Sequence, residues 1–109
     1  MILIVVKFPV RPEYSDQWLS RVADFTNGTR GEPGNVFFEW SRSADDPNEY
    51  VLVEGVRDGD AGSAHVNSEH FKTAMAWMPD AIAATPKIIN VQTPGEGWSA
   101  MAELQPRQP

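Results

Sequence analysis

The chain has 109 residues, a length that fits one domain and limits how much surface a single copy can bury. Hydrophobic residues make up 41% of it, far above the composition of disordered chains. The formal net charge is −6 with no basic run, and there is no cysteine, which argues against a nucleic-acid partner, disulfide bonds and thiolate metal sites.

The chain starts with an apolar segment. Residues 2 to 10 are apolar on both predicted faces until Lys7, which indicates a first β-strand. This start has no cationic leader and no cleavage site, and it is too short to cross a bilayer. We therefore expect a cytoplasmic protein with no membrane partner.

A helix is predicted next. Pro12 and Ser15 stand where a helix would begin, and Asn27-Gly28 is a typical end signal. The apolar stripe of this segment consists of Trp18, Leu19, Val22 and Phe25. That spacing is typical of an amphipathic helix.

Two strands follow. Residues 35 to 43 predict a second strand with Phe38 and Trp40 on one face. The turn signal at residues 45 to 48 connects it to a third strand over residues 49 to 56. We expect these two strands to form a hairpin.

The second half of the chain predicts a broken helix and a last strand. A short helical piece covers residues 60 to 66, and a longer one follows an N-cap at Ser68 and runs to about residue 83. The apolar stripe of the longer piece is Phe71, Met75, Met78 and Ile82. Residues 87 to 93 indicate a fourth strand.

Proline marks the end of the second helix and the tail. Pro79 is expected to kink or end the helix near Met78. The tail from Pro94 to Pro109 is rich in proline and glycine, with three apolar residues at helical spacing, Trp98, Met101 and Leu104.

The predicted order βαββαβ matches a ferredoxin-like α+β fold, with helices on one face of a four-stranded antiparallel sheet. The other face cannot be polar, because Leu3 and Val5 of the first strand point away from Ile2, Ile4 and Val6. Sheets covered on both sides show such continuous apolar runs. A second copy of the sheet is the simplest cover, so we predict a face-to-face homodimer.

The candidate reactive groups lie between residues 50 and 71. Glu54 stands among apolar residues of the third strand, and His65 lies one short helix downstream. A buried carboxylate needs a partner, and His65 is the natural candidate. The pair has two interpretations, a catalytic imidazole base oriented by Glu54 or a structural hydrogen bond at the strand–helix corner.

His70 is the only other histidine. It follows His65 by five residues, about 140° around a continuous helix, so the two share a face only if the break at Asn67-Ser68 turns His70 inward. A solvated position is the simpler interpretation. Two histidines and a carboxylate could form an iron site, but the spacing lacks the usual helical ligand pair, and we expect no metal.

Aromatic residues are abundant for this length. Phe38, Trp40, Met75 and Trp77 could line a flat apolar slot for an aromatic ligand, with His70 beside it. Ordinary core packing is the alternative for each of them taken singly.

Two segments carry a family resemblance, the third-strand VLVEGVRD and the helical AHVNSEHF. With them the chain resembles the antibiotic-biosynthesis monooxygenase family, and within it the quinol monooxygenase branch of the dimeric α+β barrel proteins. The resemblance covers roughly Ile2 to Thr93. It implies a domain over residues 1 to 93, with a tail over residues 94 to 109 that could pack on the dimer partner.

The resemblance also implies a function. Members oxidise quinols, anthrones and related phenolics with molecular oxygen and no cofactor. We therefore expect a small aromatic substrate and oxygen as partners, His65 and Glu54 as catalytic residues, and a substrate site that includes the aromatic residues above. A non-catalytic dimer that binds aromatic metabolites and an isomerase or lyase remain the alternatives.

Overall fold

The computed structural model describes residues 1 to 108 and confirms the ferredoxin-like α+β plan. Its elements in chain order are β1 Ile2–Pro9, α1 Pro12–Ser15, α2 Trp18–Arg21, α3 Ala23–Arg30, β2 Asn35–Arg42, β3 Glu49–Val56, α4 Gly59–Val66, α5 Glu69–Ala81 and β4 Lys87–Gln92. None of the helices in this range is long and apolar enough to cross a membrane.

The four strands form one antiparallel sheet in the order β2-β3-β1-β4. The register places Ile4 opposite Glu54 on one side and opposite Asn90 on the other, and Glu54 opposite Phe38. Because opposite residues point to the same face of a sheet, these four side chains form one row on the face that carries the helices.

The core lies between the helices and the sheet, around Trp18, which is fully buried. Its ring centroid is 5.6 Å from that of Phe8, 5.9 Å from that of Trp40 and 5.6 Å from that of Trp77. Aromatic pairs at this spacing add stability beyond the area they bury. The aromatic residues between α2 and the sheet therefore form one packed cluster.

The predicted first helix differs from the structure in two ways. It is three short helices, and the last continues through Asn27-Gly28 to Arg30, so the predicted end is wrong. Gly28 lies inside α3, and its missing side chain leaves room for His70, because an added Cβ would lie 2.6 Å from His70 Cγ. The predicted apolar stripe is also wrong at Leu19, which the helix breaks leave 51% exposed.

The break in the second helix is confirmed. Ser68 caps α5, where its hydroxyl accepts from the N–H of Phe71 and donates to the carbonyl of His65. Pro79 was predicted to kink or end the helix near Met78, and the second alternative is wrong, because α5 continues to Ala81 with Pro79 inside it. At that position proline removes one hydrogen bond of the last turn rather than one from the middle of the helix.

The second face of the sheet carries no helix in the described part of the chain. Leu3, Val5 and Val53 lie on it, and Ile89 of β4 is 66% exposed there. The tail returns to one corner, where the Trp98 ring centroid lies 5.1 Å from that of Phe37. The tail forms no helix within the described residues, and Trp98 itself is 73% exposed.

Candidate functional site

A cavity of about 600 Å³ opens between the sheet and helices α4 and α5. It forms because the helices do not cover β4, so the end of the sheet at Ile88 stays open. The wall is mostly apolar, and its side chains with polar atoms are Glu54, Ser63, His65 and Asn90. An apolar cavity with few polar groups is typical of a small-molecule site.

Glu54 is a buried carboxyl group on the floor of this cavity. Its oxygens accept no hydrogen bond from any described residue, yet the only fully buried unpaired polar side-chain atom in that range is Trp18 Nε1. The Glu54 oxygens therefore open to the cavity. Burial raises the pKa of Glu54, the charge of His65 opposes that rise, and Glu32 adds to it.

His65 lies on α4 with its ring held between aromatic side chains. The ring stacks on Phe25 at 5.8 Å and meets the edge of Phe71 at 5.1 Å, measured between centroids. Its Nδ1 lies 2.9 Å from Oε2 of Glu32. The predicted Glu54–His65 hydrogen bond is absent, and the carboxylate that pairs with His65 is Glu32.

Glu32 belongs to the loop between α3 and β2, and no sequence pattern marked it as a site residue. Its backbone is fixed on both sides, since its N–H donates to Thr29 and its carbonyl accepts from Asn35. It lies 33 residues from His65 and 38 from His70 in sequence. Local sequence periodicity cannot predict contacts at such separations. The one sequence feature that could have drawn attention to Glu32 is its position as an acidic residue in a loop with proline and glycine.

His70 points inward, in contrast to the solvated position that its spacing from His65 favoured. Its Nε2 lies 2.5 Å from the same Oε2 of Glu32. The helix break causes this, because Ser68 adopts an extended conformation and restarts the helix at a new rotation. The turn of His70 toward His65, left open by the sequence, is therefore what the structure shows.

The contact with Glu32 selects the tautomer of the His65 ring. An ionised carboxylate only accepts hydrogen bonds, so this contact requires a proton on Nδ1, and in a neutral ring the lone pair is then on Nε2. Nε2 has no partner among the described residues and is not fully buried. Because His65 lines the cavity and its Nδ1 is paired with Glu32, Nε2 is the ring nitrogen left for a ligand there.

Three of the four residues predicted to form the aromatic slot belong to the core or pack against it. Phe38 is buried and Trp77 packs against the core cluster, while Nε1 of Trp40 donates to Oγ1 of Thr26 at 2.9 Å. Of the residues predicted to bind substrate, Met75 lines the cavity, whereas Phe38, Trp40, His70 and Trp77 do not. The aromatic rings that do line it are those of Phe8, Phe25 and Phe71.

Comparison with known proteins identifies the family and supports the fold. The family model "Antibiotic biosynthesis monooxygenase" matches residues 1 to 77. The Bacillus subtilis protein named "Putative monooxygenase YcnE" is 23% identical over 92 residues, which cover 84% of this chain and 97% of that protein.

Two solved structures show the same fold. One is described as a "Putative antibiotic biosynthesis monooxygenase from Nitrosomonas europaea", with 24% identity, a TM-score of 0.81, and coverage of 87% of this chain and all of that one. The other, Rv0793 from Mycobacterium tuberculosis, has 22% identity and a TM-score of 0.80, and covers 89% of this chain and 98% of its own.

Proposed function

Since the chain belongs to the antibiotic biosynthesis monooxygenase family, we propose that it oxidises a quinol-like or anthrone-like aromatic with molecular oxygen and without a cofactor. The single observation that carries this proposal is the cavity. Its wall is apolar except for a few groups, and these include an imidazole acceptor and a carboxyl group whose pKa is raised. That combination suits an aromatic ligand with an ionisable hydroxyl.

His65 is the proposed base. Its Nε2 accepts the proton of the substrate hydroxyl. Glu32 stabilises the resulting imidazolium, because its Oε2 accepts a hydrogen bond from Nδ1. Glu32 is thus a positioning residue that sets the tautomer of His65. His70 is in turn held on Glu32 and keeps that carboxylate in place.

The deprotonated substrate supplies the electrons. It gives one electron to oxygen, and the two radicals combine at a ring carbon to form a peroxide. Loss of water from the peroxide breaks the O–O bond and leaves a quinone, so one oxygen atom enters the product and the other leaves as water. Because the substrate is the reductant, the protein needs only to position, desolvate and deprotonate it.

Glu54 is proposed as the proton donor to the peroxide. Burial in an apolar wall favours the neutral carboxyl, and a neutral carboxyl can donate a hydrogen bond to an oxygen anion. Glu54 and His65 thus remain the two proposed catalytic residues, but as separate groups on one cavity. The orienting role predicted for Glu54 passes to Glu32.

We also propose that two copies pack through the second face of the sheet. Leu3, Val5 and Val53 are apolar on a face that no described helix covers, and burial of such area favours association. The tail over residues 94 to 109 is proposed as an addition to the domain over residues 1 to 93. Its exposed Met101 and Leu104 would reach the partner.

Oxygen uptake tests the proposal. Chelator-treated, colourless protein should consume one oxygen per molecule of a hydroquinone or anthrone, and product formed under labelled oxygen should carry one labelled atom. Glu69→Gln is the matched control, because Glu69 is exposed and lies outside the cavity. Tight binding without oxygen uptake would favour a metabolite-binding protein, and conversion without oxygen an isomerase or lyase.

A further inference from the structure

We infer that Glu32, His65 and His70 also form a binding site for a divalent first-row transition-metal ion. Their ligand atoms, one carboxylate oxygen and one nitrogen from each ring, all lie within 4.8 Å of one another. Two imidazoles and a carboxylate are ligands that such ions prefer, zinc and iron among them. This site goes beyond the proposed reaction, which uses no metal.

The three ligands come from three separate elements. Glu32 is in the α3–β2 loop, His65 on α4 and His70 on α5, so the fold rather than a local motif brings them together. The missing i, i+4 helical pair, which argued against a metal from sequence, is replaced by this convergence. Ligand spacing along the chain is therefore no obstacle.

The distances suit a single ion. Two ligands bound to one ion at about 2.1 Å each lie roughly 3 Å apart when the bonds are perpendicular. Nδ1 of His65 is 2.9 Å from Oε2 of Glu32, which already meets this spacing. Nε2 of His70 is 2.5 Å from that oxygen, so its ring must move back by about half an ångström to admit the ion.

The cluster is also shielded but reachable. The side chains of His65, Glu32 and His70 are 7%, 14% and 24% exposed, so the approach is from the His70 side. The contact of His70 with Gly28 fixes its ring on α3. Ligands held by packing bind a metal more tightly than free side chains, because little order remains to be imposed.

Metal binding has a chemical consequence at the cavity. An ion on Nδ1 of His65 takes the lone pair of that nitrogen, so the one proton of the neutral ring must move to Nε2. The nitrogen available to the cavity changes from acceptor to donor. On the proposed function, the ion therefore inhibits turnover, and chelator restores it.

Titration calorimetry of the metal-free protein with Zn²⁺, and absorption with Co²⁺, test the site. We expect one ion per chain, and about 100-fold weaker binding in Glu32→Gln and in His70→Gln, because each loses one of three ligands. Glu69→Gln, next to His70 on the exposed side of α5, should bind like the parent protein. Absence of stoichiometric binding, or equal affinity in all four proteins, would overturn the site.

Turnover is measured separately, so that the two proposals can fail independently. Stoichiometric Zn²⁺ should remove activity in the parent protein, and a chelator should return it. Binding without loss of activity would retain the metal site and refute the change of tautomer. An active protein that binds no ion would refute the metal site and leave the proposed reaction standing.

Discussion

The two faces of the sheet differ although the same strands build both. On the covered face, β1 and β3 contribute the core residues Val6 and Leu52 and, in the same alternation, Glu54. On the other face they present Val5 and Val53, which no helix within residues 1 to 108 covers. The covered face thus holds polar groups inside an apolar wall, and the bare face holds apolar groups that lack a cover. The first is suited to a ligand and the second to another protein surface.

The largest expected effect concerns the bare face. Val53→Asp places a charge at its centre, where a second sheet would have to desolvate it, so the proposed dimer should weaken by at least about 100-fold. Sedimentation velocity over a concentration series measures this. Leu19→Asp adds the same charge on the exposed side of α2 and should leave association unchanged. A parent protein that is monomeric at tens of micromolar would refute the dimer.

The next effect is on the covered face. His65→Gln removes the proposed base and should lower kcat by roughly 100-fold. The fold should survive, because Glu32 keeps its contact with His70 and Glu54 never depended on His65 for a hydrogen bond. Oxygen-uptake rates and a denaturant melt measure the two quantities. Full activity in a folded His65→Gln variant would leave the imidazole a structural group.

Gly28→Ala tests how α3 supports the site. The new methyl group would lie 2.6 Å from His70 Cγ, so the His70 side chain must move. We expect the free energy of unfolding to fall by about 1–3 kcal/mol. The contrast is Gly62→Ala in α4, whose nearest neighbour atom outside the helix is 3.9 Å away, and which should gain up to about 1 kcal/mol. Urea melts of both variants give the sign of each change in the free energy of unfolding. Equal effects would contradict the packing at Gly28.

Deleting residues 94 to 109 tests the tail. Trp98 contacts Phe37 at one corner of the bare face, so its loss should weaken the proposed dimer by about tenfold. The domain should still fold, because the core cluster includes no tail residue. Sedimentation and a thermal melt separate the two effects. A truncated chain that unfolds would show that the tail belongs to the domain.

The difference between the faces also explains what could be predicted from the sequence. Alternation along β1 and β3 fixes which residues face the helices, so the sheet and the position of Glu54 were predictable. The capping residue Ser68 likewise gave the break between α4 and α5. Glu32 was not predictable, because only the tertiary fold brings this loop to both histidines. The aromatic slot could not be distinguished from core packing, because Trp40 in its strand and Trp77 in its helix follow the same spacing as ordinary core residues.

The smallest effect is a pH dependence that belongs to the covered face alone. Burial raises the pKa of Glu54 in the folded state, so the native protein holds this proton more tightly than the unfolded chain does. At low pH both states are protonated, and Glu54→Gln should match the parent protein in free energy of unfolding. As the pH rises through the raised pKa, the parent must ionise a buried group and loses stability relative to the variant.

Urea melts between about pH 4 and pH 8 measure that divergence. The variant should be the more stable protein at the upper end, because glutamine keeps the shape of the side chain without the charge. The exposed Glu69→Gln variant carries the same charge change outside the cavity and serves as the control. A difference that stays constant with pH, or that favours the parent at high pH, would mean that Glu54 is ionised and well solvated. The cavity would then lack its proton donor.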